Sequence, residues 1–311
     1  KVVNENQYQH MVFEEFARRL SPNIDAFAQY DVTINPNISA EFSQAVYRLG
    51  HSMLTDNVRM EDAAGNVSDM TLVNAFLNPL AFDAVGAASI IQGTTQVEMN
   101  EIDEFVVDAL RNMLLGLPLD LAAINIARGR DVGLPTLNAL REQLYADTGG
   151  EGTLAPYTSW ADFGAHLLHP ESLVNFIAAY ARDADIAAAR DVGDNALARS
   201  LAQYALTNGN FQNTANLLAN DQGFWDIDLW IGGLAENKAG GPLGAPPSML
   251  GTTFDFIFAM QLRALQDGDR LYYLARLGGT NILTEIESMK FGDLYERGTG
   301  ARHTNGDIFS V

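Results

Sequence analysis

Apolar residues recur at three- and four-residue intervals along most of this chain, and they seldom alternate with polar ones. A period near 3.6 commits a segment to a helix with one buried face, whereas a half-buried strand needs a period of two. The pattern therefore predicts a mainly α fold with very little β structure. Val12, Phe13, Phe16 and Leu20 set the first helical period, and Ser21-Pro22 stops it. Ser39 is a candidate N-cap with Glu41 in the first turn, ahead of one apolar stripe formed by Phe42, Val46, Leu49 and Met53. Residues 61–69 read as a loop, and apolar periods then run through Leu80, Phe82 and Ile90 and across residues 102–115. Asp120 is placed to cap LAAINIARGR, which Gly133 and Pro135 end, and Thr136 is placed to cap LNALREQLY. Residues 149–156 read as a loop, and alanine-rich helical periods fill residues 173–206. WDIDLWIGG is short and ambiguous, GGPLGAPPS reads as a loop, and FDFIFAMQLRAL reads as a helix closed by Asp267-Gly268.

With 311 residues, 47% of them hydrophobic, the chain can bury a sizeable core in one large domain or two ordinary ones. Its 19 Lys and Arg against 39 Asp and Glu leave a formal net charge of -20, which argues against nucleic acid or an anionic membrane as partner and attracts cations. There is no cysteine, so disulfides, thiolate catalysis and cysteine-based zinc or iron–sulfur sites are excluded. No apolar run is long enough to span a membrane, and KVVNENQYQH lacks the basic and apolar regions of a signal peptide. The first residue is not Met and the opening letters read as the inside of a helix, as expected of a fragment.

Two segments carry chemistry. In YRLGHSML, His51 sits in an apolar helical stretch, where it is either a ring hydrogen-bonded to a carbonyl or a ligand. Arg48 lies three residues earlier on the same face, so one ligand can meet an imidazole and a guanidinium together. Haem has those two needs: an axial nitrogen for iron and cations for its propionates. In DLAAINIARGRDVGLP, Asn125 and Arg128 share a helical face, and an asparagine in an otherwise apolar turn is costly unless its amide is bonded.

Together YRLGHS and NIARGRDVGLP resemble the two hallmark segments of the animal-type haem peroxidases, the peroxidase–cyclooxygenase superfamily. NPNISAEFSQAVYRLGHSML is similar to that family's proximal helix with its lead-in, IDLWIGGLAE to its Asp-Leu-Trp-Val-Gly-Gly stretch, and QLRALQDGDRLYY to its Gln-Phe-x-x-Leu-x-x-Gly-Asp-Arg stretch, all in the family's order. The resemblance implies a large helical haem-peroxidase domain with haem b, in which His51 is the proximal iron ligand and so the metal-binding residue. Asn125 would accept the second ring N–H and take the one catalytic part assigned here, as partner of the proximal histidine. Arg128 and Arg48 would bind the propionates. It implies hydrogen peroxide and a small reducing substrate as partners, with halide, phenol and Mn(II) left open as the reductant, and an extracellular or secreted location. In the family the distal histidine, the distal arginine, the carboxylates that ester-link haem and the calcium site all precede the region matched here. Residues 1–311 are thus expected to be the proximal, C-terminal portion of one catalytic domain, completed by an upstream distal segment of the same protein.

The likeness has departures. Val132 stands where a histidine is usual, and Leu137 where an aromatic commonly precedes Asn-Ala-x-Arg. The stretch from 149 to 224 is longer than in the animal enzymes, as in a bacterial variant with extra helices. Two rival readings go with these: a fatty-acid dioxygenase of the same superfamily, which needs a radical-forming tyrosine such as Tyr47, and a non-catalytic interaction scaffold. His10 is read as structural, His303 as solvated, and His166 with His169 as surface or core histidines rather than a metal pair, since no third ligand is evident. Asp228 and Asp269 are read as capping or ion-pairing residues.

Overall fold

The caps that the sequence offers are the ones that start the helices. The computed structural model describes residues 2–207, 214–238, 247–302 and 308–309. Ser39 accepts from the Phe42 N–H at 3.1 Å, Asp120 from that of Ala123 at 3.0 Å, and Thr136 from that of Ala139 at 3.4 Å. Each satisfies a donor that the first turn of a helix leaves without an internal partner. The Leu121–Asp131 helix ends two residues before Gly133, whose φ of +73° is the left-handed conformation that glycine adopts without a Cβ penalty.

The first helical stretch runs as Val2–His10, widens to π turns over Met11–Ala17, and closes with Arg18–Leu20 before Ser21. The stretch carrying His51 is broken where the sequence suggests one helix. It consists of Ala40–Gln44, a 3-10 turn Val46–Leu49 and a last helical turn Gly50–Met53, with the break at Ala45 (φ −123°, ψ −70°). Phe42, Val46 and Leu49 are buried all the same, so the core contacts of the stripe survive the change of pitch.

Residues 61–69 are not a simple loop. Asn57–Glu61 pairs antiparallel with Val67–Thr71, the only sheet among the described residues. Asp62 builds the turn by accepting from the Ala64 and Asn66 backbone N–H groups, each at 2.9 Å. Val58 and Met60 alternate with polar neighbours in the first strand, but the second is mostly exposed and shows no such alternation, so the pair is not announced by a sustained period of two. Residues 102–115 likewise hold only the short helix Asp108–Arg111 and a 3-10 turn, and Leu72, Ala109 and Leu110 form a small separate cluster.

The main core gathers Trp160, Phe163, Trp230, Phe254, Tyr272 and Tyr273 from across the chain. The alanine-rich stretch forms Leu173–Tyr180, Ala184–Asp191 and Asn195–Thr207, whose buried Ala189, Ala198, Ala202 and Ala205 let the three helices pack closely. The ambiguous WDIDLWIGG becomes a 3-10 turn and the helix Leu229–Ala235. A Cβ on Gly233 would lie 2.2 Å from the Phe254 ring, which is why a glycine stands where these two helices touch. Thr252–Asp267 ends at Gly268 as read from the sequence. Most of GGPLGAPPS, and His303, lie outside the described residues. Among the described residues, no helix is long and apolar enough to cross a membrane.

One buried ion pair joins this core. Arg141 Nη1 donates to Glu236 Oε1 at 2.8 Å, with both side chains almost wholly buried. The Tyr157 hydroxyl and the Thr253 hydroxyl also donate to Glu236 Oε1, at 2.9 and 2.7 Å, and the Thr253 N–H donates to Oε2 at 2.8 Å. Arg141 spends its other N–H groups on the carbonyls of Thr153 and Ala155 and lies 4.2 Å over the Tyr157 ring. Burial, with Glu236 beside it, holds the Tyr157 phenol well above its ordinary value. Removing one partner leaves a buried charge uncompensated, so Arg141→Leu should cost about 3–5 kcal/mol in urea unfolding. A loss below about 1 kcal/mol would mean that the pair behaves as an exposed one.

Candidate functional site

Gln44, Arg48, His51 and Asn125 form one hydrogen-bonded chain. Gln44 and Arg48 flank the break at Ala45, and the Arg48 Nη2 donates to Gln44 Oε1 at 2.6 Å. Nη1 of the same guanidinium donates to Asn125 Oδ1 at 2.9 Å, and Asn125 Nδ2 lies 2.8 Å from His51 Nδ1. Asn125 is fully buried on the Leu121–Asp131 helix, so both ends of its amide are satisfied by the two residues that the other segment supplies. The two stretches singled out in the sequence thus meet, and they meet through Asn125.

The polarity of the chain follows from Arg48. A guanidinium can only donate, so it takes the amide oxygen and leaves the Asn125 NH₂ to face the imidazole. His51 Nδ1 then accepts, the reverse of the sense that the resemblance suggested. Burial first, and Arg48 second, lower the pKa of His51 and hold the ring neutral.

Arg128 lies one turn beyond Asn125 and is exposed, and it stands close enough to Arg48 to add to the effect of burial in lowering the Arg48 pKa. Neither arginine has a carboxylate partner among the described residues, and Arg48 Nε is buried without any hydrogen bond. A neutral imidazole beside two cations without an anion, in a chain of net charge -20, is a donor set that fits a haem: axial nitrogen for iron and positive charge for propionates.

Arg130, on the same helix, behaves differently. Its Nε and Nη2 grip Asp228 at 2.8 and 2.6 Å, and the Tyr180 hydroxyl donates to Asp228 Oδ2 at 2.7 Å. Asp228 is therefore an ion-pairing residue. Asp269 accepts from the Leu271 N–H at 2.8 Å and from Gln9 at 3.3 Å. A cavity of about 270 Å³ lies behind Asn125, lined also by Gly129, Arg130, Tyr180, Asp228 and Trp230. His10 is buried with Nδ1 3.3 Å from the Tyr273 hydroxyl, and His166 is exposed with Nδ1 2.8 Å from the Asp162 carbonyl. Tyr47, on which a radical reading rests, is 67% exposed and stacked on Phe42.

Sequence reasoning missed Gln44, although its four-residue offset from Arg48 was a legible signal. It also missed the pairing of Arg130 with Asp228, which are 98 residues apart and share no local pattern.

A family model described as animal haem peroxidase matches residues 2–189 and 199–309. Among similar proteins, peroxinectin A of Dictyostelium discoideum is 26% identical over 86% of this chain and 40% of its own length. Thyroid peroxidase of Sus scrofa is 28% identical over 84% of this chain and 23% of its own, and chorion peroxidase of Drosophila melanogaster 26% identical over 86% and 28%. The chain thus spans well under half the length of these relatives. The solved structure of peroxidase A from Dictyostelium discoideum superimposes with a TM-score of 0.69 at 23% identity, over 99% of this chain and 50% of that one, which is a likeness of fold.

Tyr180 gives a test of the pairing behind Asn125. Burial, and next the charge of Asp228, push its phenol well above the ordinary value. Asp228→Asn removes the second cause and leaves the first, so the Tyr180 phenol should ionise at lower pH than in the parent chain while staying above an exposed tyrosine. A spectrophotometric tyrosinate titration reads this, and an unchanged titration would place Tyr180 away from Asp228.

Proposed function

Because the chain belongs to the animal haem peroxidase family, we propose that it supplies the proximal side of a haem b site in a peroxidase that uses hydrogen peroxide to oxidise a small reducing substrate. The hydrogen-bonded chain Arg48–Asn125–His51 is the observation that carries this reading. Haem, when bound, supplies the redox chemistry, passing oxidising equivalents from peroxide to the reductant. His51 would be its axial ligand, Asn125 the positioning residue behind that ligand, and Arg48 and Arg128 the partners of its carboxylates.

Were His51 to hold the haem iron, its ring proton would be needed on Nδ1, the nitrogen that faces Asn125, and would need an acceptor there. Asn125 would meet that need by turning its amide, oxygen towards His51. Its NH₂ would then face Arg48, donor against donor, and Arg48 would be free for an anion. The same amide therefore links the tautomer of the ligand to the availability of a cation. Tyr47 gives the dioxygenase reading no comparable support, since it is exposed and packed on Phe42.

Peroxide cleavage also needs a base that moves a proton between the two oxygens and a cation for the charge that develops. His10, His166 and His169 are each engaged elsewhere. We place those groups on an upstream distal segment, with residues 1–311 as the proximal portion of one domain, and we place the whole protein outside the cell. Residues 1–311 alone, loaded with haem, should turn over peroxide at most weakly. Equal rates for this chain and a longer product that includes the upstream segment would refute that division.

The axial assignment is tested on the loaded chain. His51→Ala should abolish the histidine-ligated ferric spectrum, while His166→Ala keeps it. Asn125→Leu should cost about 10–100-fold in haem affinity or activity and raise the ferric/ferrous potential, and Asn125→Asp, a stronger acceptor, should lower it. A normal spectrum in His51→Ala, or a potential indifferent to both Asn125 variants, would overturn the assignment.

A further inference from the structure

His169 lies on the turn after the Trp160–Ala165 helix and takes no part in the site above. In space it meets a different partner from the one its sequence neighbour His166 suggested. A carboxylate oxygen of Glu101, one of Asp103 and a ring nitrogen of His169 lie within 4.8 Å of one another. We propose that these three residues form a binding site for a divalent transition-metal cation of the zinc or manganese kind.

The ligand set decides the class of ion. Calcium and magnesium take oxygen ligands, whereas a ring nitrogen with carboxylates suits zinc and manganese. Asp103 is only 8% exposed, and one of its oxygens accepts from the Phe105 N–H at 2.8 Å. The other oxygen has no hydrogen-bond partner among the described residues. That oxygen is not sealed from solvent, so a cation can reach it and be held by a carboxylate whose other oxygen is already fixed. Glu101 makes no hydrogen bond or ion pair among the described residues and is exposed, so it can swing to bring its oxygen to a bonding distance of about 2.1 Å.

The surroundings fit as well. Glu104 Oε2 lies 3.4 Å from His169 Nδ1, and the Ser172 hydroxyl donates to the other oxygen of Glu104. Metal-bound histidines are commonly held in this way through the ring nitrogen that does not ligate, which leaves Nε2 with the lone pair to offer. Lys238 is the cation already nearby, with its ammonium directed at the carbonyls of Leu234 and Glu236 at 3.2 and 3.4 Å. One ammonium beside Glu101, Asp103 and Glu104 leaves an excess of negative charge. An ion here would tie the loop at residues 101–104 to the turn at 166–172. Asn100, next in the chain, donates to the Met53 and Leu54 carbonyls at the end of the His51 turn, so the ion would brace that turn too.

The test is equilibrium dialysis of the full, untagged chain against Zn²⁺ and, separately, Mn²⁺. The expected result is saturable uptake of one ion per chain, the same with and without haem. Glu101→Gln, Asp103→Asn and His169→Gln should each weaken uptake at least about tenfold, and His166→Gln should leave it unchanged. Glu101 is exposed, so its variant keeps the test independent of folding. No saturable uptake, uptake unaffected by the three variants, or loss in His166→Gln would each overturn the proposal.

Discussion

The ion pair between Arg141 and Glu236 ties together the segments that pack against the candidate haem site. It joins the Leu137–Asp147 helix, the loop at 153–157, the end of the Leu229–Ala235 helix and the start of the Thr252–Asp267 helix. The Leu229–Ala235 helix in turn touches both the Leu121–Asp131 helix that carries Asn125 and the turn that carries Arg48. A buried pair is tolerable only when every remaining donor and acceptor is satisfied. Here the guanidinium is met by Glu236, threonine hydroxyls and carbonyls, and both carboxylate oxygens are filled. That completeness fixes one arrangement of four segments, because any other would strand a charge.

The site shows the opposite condition. Arg48 and Arg128 have no carboxylate partner among the described residues, while Arg130, two residues past Arg128, is clamped by Asp228. In a chain with net charge -20, two cations without carboxylate partners are what the carboxylates of the proposed haem would need. An amide can present either end, so on the proposed reading Asn125 would couple the proton on His51 to the freedom of Arg48. Glu101, Asp103 and His169 follow the same logic with the signs reversed: carboxylates in excess of cations, beside a nitrogen donor.

The family likeness and the physical reading divide the explanation between them. Relatives at 26–28% identity cover most of this chain and less than half of themselves. They show the family, and the geometry shows which of this chain's own residues meet at the candidate site. Glu236 and Arg141 illustrate the division: both stand in or beside stretches that resemble the family, yet their role as the joint of the core appears only once they are seen to touch.

The sequence by itself determined what depends on residues near one another along the chain. Ser39, Asp120 and Thr136 cap as read, because a cap acts over three residues. Arg48 and His51 share a face because the turn between them is helical in either pitch, and an asparagine in an apolar turn announced that Asn125 must be bonded. The tertiary structure decided whatever joins distant residues or depends on a competition between partners. The hairpin of Asn57–Glu61 and Val67–Thr71 alternates only over Val58 and Met60, too short a run to announce a strand pair. Arg141 pairs with Glu236 and Arg130 with Asp228 across long separations, and His169 is brought within 4.8 Å of Glu101 and Asp103, none of which a local period encodes. The sense of the Asn125 amide was equally hidden, because it is set by a rival donor, Arg48, that only folding brings to its oxygen.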